Sequence, residues 1–110
     1  MAKGEYLGEF EHVVLLTLLR LGDGTHSATI RVEIESVTGR SAAVGAVHAT
    51  LDRLERKRLV SSWLGDPTPE RGGKAKRHFK IEAAGVHALK QTRTALERLQ
   101  SGLSLRGAIA

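Results

Sequence analysis

Apolar residues recur at helical spacing in four stretches of the chain and alternate in one. In the first stretch Phe10, Val13, Val14, Leu18 and Leu21 form a stripe, and Leu15, Leu16 and Leu19 widen it to most of the circumference. The spacing predicts a helix over 7–21 that is covered on several sides. Gly22-Asp23-Gly24 ends it, glycine being the usual residue just past a helix C-terminus. Ile30, Ile34 and Val37 predict a second helix over 28–38, all three inward, with Ser27 as N-cap and Gly39 as its stop. The third stretch, AVGAVHATLDRLERK over 43–57, sets Val44, Val47, Leu51 and Leu54 on one face. Gly45, Ala46, Ala49, Thr50, Arg53 and Lys57 fall on the other. Ser41 is the nearest capping oxygen, because Ala43 and Val44 have none to offer.

After these helices the period changes. Residues 59–64 are short and rich in β-formers, and predict a strand. Two prolines and several glycines between 65 and 75 predict a loop containing Arg71, Gly72, Gly73 and Lys74. Residues 76–81 alternate, with Arg77, Phe79 and Ile81 on one side and Lys76, His78 and Lys80 on a wet, basic other side. Two such strands make a hairpin with a cationic tip. Two short helices joined by a few residues including glycine make a helix-turn-helix, and a hairpin directly behind it is a wing. A last helix is predicted over 83–102, with Leu89, Thr92, Leu96, Leu99 and Leu103 in the three–four alternation of a coiled-coil seam. The expected fold class is therefore mainly α with a small β-hairpin (α+β). A winged helix-turn-helix domain over 1–82 is followed by a C-terminal dimerisation helix over 83–103, and the unpatterned tail, 104–110, is expected to be loose.

Composition adds three constraints. Hydrophobic residues are 41% of 110, with only Tyr6, Phe10, Trp63 and Phe79 aromatic. The core is thus thin, which favours completion by a second copy. The chain has no cysteine, and so no disulfide, thiolate metal site or cysteine nucleophile, which fits a reducing cytoplasm. The longest apolar run, 13–19, is too short to cross a membrane, and the start of the chain lacks the apolar segment of a signal peptide.

The net charge of +5 is unevenly spread. Residues 40–80 hold ten Lys or Arg against four acids, whereas residues 1–39 hold three against six. A basic middle behind an acidic first third points to a polyanion, nucleic acid first. Small residues on the third helix suit close approach to base edges in a major groove, with flanking cations on phosphates. Enzymatic chemistry finds no support: no carboxylate pair stands in an acid/base setting, no Ser-His-Asp order appears, and RGGK lacks the glycine spacing of a nucleotide-binding loop. His12, His26, His48, His78 and His87 show no ligand spacing, so neither metal nor cofactor is expected. A metal-responsive sensor and a winged-helix protein-interaction module remain the alternatives.

Four segments, LGEFEHVVLLTLLRLGDG (7–24), IRVEIESVTGR (30–40), GAVHATLDRLERKRLVSS (45–62) and PERGGKAKRHFKIEAAG (69–85), resemble the PadR-type winged-helix transcriptional regulators in their short form with one C-terminal helix. The strongest part is LDRLERKRLV (51–60) paired with the Gly/Lys/Arg wing before a Phe-containing strand. The resemblance implies a homodimer on palindromic promoter DNA, usually a repressor, with a small hydrophobic effector in some members. It makes 41–57 the recognition helix and 71–77 the wing. Gly45, Ala46, Ala49 and Thr50 are then expected at base edges. Arg40, Ser41, His48, Arg53 and Lys57, with Arg71, Gly72, Gly73, Lys74, Lys76 and Arg77 of the wing, are expected at phosphates. The dimer is expected to form through Leu7, Phe10 and Val14 of the first helix and Leu89, Leu96, Leu99 and Leu103 of the last. The chain departs from the family in having His48 for a tyrosine, Ala43 for a capping Ser or Thr, Ser27-Ala28 for Tyr-Gly, and Arg58 for a glycine. If Arg58 needs φ > 0, it costs about 1 kcal/mol relative to glycine.

Overall fold

Glu11 sets the start of the first helix. Its Oε1 accepts the Gly8 N–H at 2.8 Å, which satisfies an amide that the helix itself cannot. In the computed structural model, which describes residues 6–65 and 75–108, α1 accordingly runs Glu9–Leu21, two residues shorter than its periodicity predicts. It is followed by α2 (Ser27–Thr38), α3 (Val44–Arg56), β1 (Val60–Leu64), β2 (Arg77–Ile81), α4 (Ala83–Gln100) and a single turn, α5 (Leu105–Ala108).

Val14, Leu15 and Leu18 of α1, Ile30 and Ile34 of α2, and Val47, Leu51 and Leu54 of α3 are each at most 1% exposed and form one core. Burying each such side chain contributes about 1.5–3 kcal/mol. The hairpin is antiparallel, pairing Val60 with Ile81 through to Leu64 with Arg77. The α1–α2 connector lies along its edge: the Phe79 N–H donates to the Thr25 carbonyl at 2.8 Å, and the Gly24 N–H donates to the Phe79 carbonyl at 3.1 Å. These bonds seat Phe79 in the core and fix the wing on the helical body.

The end of α3 is closed by two bonds, Leu59 N–H to the Leu54 carbonyl at 3.0 Å and Arg58 N–H to the Glu55 carbonyl at 2.9 Å. This is the Schellman arrangement, and it needs a left-handed residue after the cap. Arg58 is that residue, at φ 63°. The first turn of α4 then crosses under the same bend. The Glu82 N–H donates to the Leu59 carbonyl at 2.9 Å, and a Cβ on Gly85 would collide with that carbonyl oxygen and stand 2.7 Å from Ile81 Cγ1.

Several expected positions differ. Ser27 is the first residue of α2 rather than its cap; His26 precedes the helix without a side-chain capping bond. Ser41 does not cap α3, which starts after Ala43 with no side-chain cap. Val44 and Val37, expected inward, are 56% and 53% exposed. Ala42 is buried with the core just ahead of α3, and α3 turns Val47, Thr50, Leu51 and Leu54 inward instead. Val14 and Leu89, expected at a dimer interface, are 0% and 6% exposed inside the chain's own core and have no surface to offer a partner. Thr92 of the seam also packs at home, its Oγ1 accepting the Leu7 N–H at 3.3 Å. Leu7 and Phe10 are part-buried against the core, while Leu96, Leu99 and Leu103 are open. The tail, expected loose, contains the α5 turn, all of whose side chains are exposed. Among the described residues no helix is long and apolar enough to cross a membrane.

Candidate nucleic-acid interface

With one stripe of α3 in the core, the opposite face is left to solvent. Val44, Gly45, Ala46, His48, Ala49, Asp52, Arg53 and Arg56 are all exposed there. Gly45, Ala46 and Ala49 project little beyond the helix backbone, and a Cβ added to Gly45 would meet nothing within 4 Å. Thr50 does not belong to this face. It is 2% exposed, because it stands three residues after Val47 on the core stripe, and Arg53 Nη2 donates to its Oγ1 at 3.4 Å. Its hydroxyl is therefore withdrawn from base edges. Val44 and Asp52 take positions on the face that the sequence pattern did not assign to it. Asp52 falls on the line 45, 49, 52 at helical spacing, which was a usable signal. An aspartate there repels phosphate and suits the N4 amino group of cytosine.

The flanking cations are engaged by the acids of α1. Arg40 Nη1 donates to Glu9 Oε2 at 2.6 Å, and its guanidinium lies 5.0 Å from the centroid of Phe10. Lys57 Nζ and Arg53 Nε both reach Glu11 Oε2, at 2.8 and 3.3 Å. Burial alone would raise the Glu11 pKa. The Lys57 hydrogen bond, the Gly8 amide, the Lys57 charge and the Arg53 hydrogen bond outweigh it and hold the carboxyl below its ordinary value. The side chains of Arg40, Arg53 and Lys57 nevertheless remain 44–47% exposed, with donors to spare. Arg56 and Arg58 are exposed at the same end of α3.

On the wing side, Arg71, Gly72, Gly73 and Lys74 lie outside the described residues. Lys76 and Arg77 are exposed at the open end of the hairpin, and Arg77 Nη1 donates to Ser62 Oγ at 2.9 Å. Between the start of α2, the front of α3 and β2 lies a cleft of about 400 Å³ lined by His26, Ser27, His48, Asp52, Lys76 and Arg77. His48 Nε2 stands 3.3 Å from Ser27 Oγ across it. The cleft joins the helix face to the base of the wing and brings His48 beside Lys76 and Arg77, while the other expected residues of α3 lie outside it. His78 is not on a wet basic face as expected. Its Nδ1 donates to the Gly24 carbonyl at 2.6 Å and its ring stacks on Trp63 at 5.9 Å, because the α1–α2 connector covers that side of β2. Burial first, then the charges of Lys76 and His78, push the His26 pKa down, so this imidazole stays neutral near neutrality. Among the described residues no group of three or more His, Asp or Glu is placed to hold a metal ion.

No protein-family model matches the sequence, and no curated protein matches it. Solved structures match it in shape. A PadR-like transcription factor from Bacteroides fragilis superimposes with a TM-score of 0.73 over 92% of this chain and 89% of its own, at 18% identity. A transcriptional regulator from Clostridium thermocellum gives 0.69 over 82% and 84%, at 20% identity. F93 from STIV, a winged-helix DNA-binding protein, gives 0.69 over 91% of this chain and all of its own, at 12% identity. Helix order, hairpin and match agree that this chain has the winged helix-turn-helix fold.

Proposed function

We propose that the chain is a PadR-like transcriptional regulator of the cytoplasm that binds double-stranded DNA as a homodimer. In this reading it represses by occupying a palindromic promoter site, and it is not an enzyme. The observation that supports this best is the exposed small face of α3, Gly45, Ala46 and Ala49, bordered by Arg40, Arg53 and Lys57 on one side and His48, Lys76 and Arg77 on the other. The small residues and Asp52 read base edges, and the cations hold phosphates and fix the register. The names of the structural neighbours, transcriptional regulators and a DNA-binding protein among them, support the same reading.

The dimer in this proposal covers Leu96, Leu99 and Leu103, which are 50–74% exposed. It sets the two α3 helices about 34–36 Å apart, on half-sites one helical turn apart. A small hydrophobic effector suits the apolar groove of about 520 Å³ between α1 and α2, lined by Leu16, Leu19, Ile34 and Val37.

The test is fluorescence anisotropy with DNA from the gene's own upstream region and with shuffled DNA of equal length, at several salt concentrations. A preference above about 10³ for the native sequence supports a sequence-reading regulator. Equal, salt-sensitive binding to both removes the promoter-specific part of the proposal. No binding at low salt removes DNA altogether and favours a protein-interaction module.

A further inference from the structure

Building on the DNA-binding reading, we infer that Glu11, seconded by Glu9, is a built-in competitor of DNA phosphate. Its fixed carboxylate competes with phosphate for Arg53 and Lys57 and so holds down affinity for any duplex. Glu11 is 5% exposed and anchored from behind by the Gly8 amide at 2.8 Å, so it cannot swing aside. Its other oxygen is shared by Lys57 at 2.8 Å and Arg53 at 3.3 Å. These two cations stand one turn apart on α3, so one carboxylate reduces two positive charges to about one. A carboxylate oxygen and a phosphate oxygen ask for the same N–H donors. DNA must therefore share those donors with Glu11 or take them from it. The loss falls on phosphate contacts, which are the sequence-independent part of binding. Gly45, Ala46 and Ala49, which face the bases, have no charge to be offset. Glu9 does the same to Arg40 from the surface, where its side chain is 70% exposed.

The experiment measures affinity of the full-length wild type, Glu11→Gln, Glu9→Gln and Glu97→Gln for shuffled duplex DNA across a salt series. Native upstream DNA is run alongside. Glu97 is the charge control, since among the described residues it pairs only with Arg93 on α4, at 3.6 Å. Glu11→Gln is expected to bind shuffled DNA about 3–10-fold more tightly at low salt. Its slope of log K against log salt is expected to steepen by about one, the worth of one more phosphate contact, with native DNA gaining by the same factor. Glu9→Gln is expected to move the same way by less, and Glu97→Gln to change affinity less than about twofold, as a remote charge does. A purely structural Glu11 predicts weaker binding with an unchanged slope, which overturns the inference, as does an equal gain from Glu97→Gln. If Glu11→Gln loses its helical circular dichroism, Glu9→Gln decides alone, because the Glu9 side chain is 70% exposed. A wild type that binds no DNA fails the underlying reading before any variant is compared. A wild type that binds, with variant slopes unmoved, fails only this inference.

Discussion

Replacing Arg58 by glycine is expected to make the protein more stable. Arg58 is the only non-glycine among the described residues with positive φ, at 63°, and the Schellman bonds from Arg58 and Leu59 leave it no other conformation. An L-residue held left-handed costs about 1–2 kcal/mol. Glycine removes that cost but brings about 0.4–1 kcal/mol of extra freedom to the unfolded chain. The difference is a net gain of about 0.5–1 kcal/mol, which for a domain of this size raises Tm by about 3–6 °C. Urea unfolding of wild type, Arg58→Gly and Arg58→Ala measures it. Alanine deletes the side chain and keeps the strain, so it is expected to stay within about 0.5 kcal/mol of wild type. Arg58→Gly no more stable than Arg58→Ala would refute the reasoning, since the gain would then come from removing a charge and not from the backbone.

Gly85→Ala is expected to destabilise by about 1–3 kcal/mol despite alanine's better helix propensity, because the new methyl meets the Leu59 carbonyl at the base of α4; thermal melts check this. Leu96→Ser with Leu99→Ser is expected to convert the proposed dimer to a folded monomer in analytical ultracentrifugation, since both side chains are at least half exposed in the single chain and its core does not need them. Stability is expected to fall on acidification in two steps. His26, with its pKa lowered, resists a proton that the unfolded chain takes up below its ordinary value of 6.5, so its contribution is lost from there downward. Glu11, also lowered, contributes fully above its ordinary value of 4.5 and loses that contribution as pH falls through the folded value. Urea midpoints across this range check both, and a midpoint that rises from pH 6 to pH 4 contradicts them.

The elements were legible because each has a period of its own: 3.6 for Val14-Leu18 and Leu51-Leu54, two for Arg77-Phe79-Ile81. The phase of α3 was harder. Valine counts as apolar and threonine as polar, so Val44 went to the core stripe and Thr50 to the outer face, whereas packing reverses the pair. Ala42, ahead of the helix, occupies the core beside its first turn, where Val44 was expected. The seam of α4 was read as one surface, yet Leu89 and Thr92 belong to the chain itself and only Leu96, Leu99 and Leu103 are free. Periodicity marks a face as apolar without saying which neighbour covers it. Arg58 was recognisable only by comparison with a family pattern. Gly85 had no signal, since its constraint is the Leu59 carbonyl, 26 residues away in sequence.

The acid–base polarity of the chain changes meaning once it is folded. In sequence the acidic first third and the basic middle are separate blocks, and counting cations in the middle gives six to eight phosphate contacts, hence a salt slope of about −5 to −7. In the structure α1 lies beside α3, and Glu9 and Glu11 meet Arg40, Arg53 and Lys57 across 31 to 46 residues of chain. The field that a DNA duplex meets is therefore weaker than the +5 of the whole chain suggests. Removing two contacts' worth of charge leaves a slope of about −4 to −5 for the wild type. A slope as steep as −7 would mean that phosphates displace both carboxylates on binding. The acids of α1 would then be counter-ions of the free protein alone, released at a cost in affinity that is the same for every duplex.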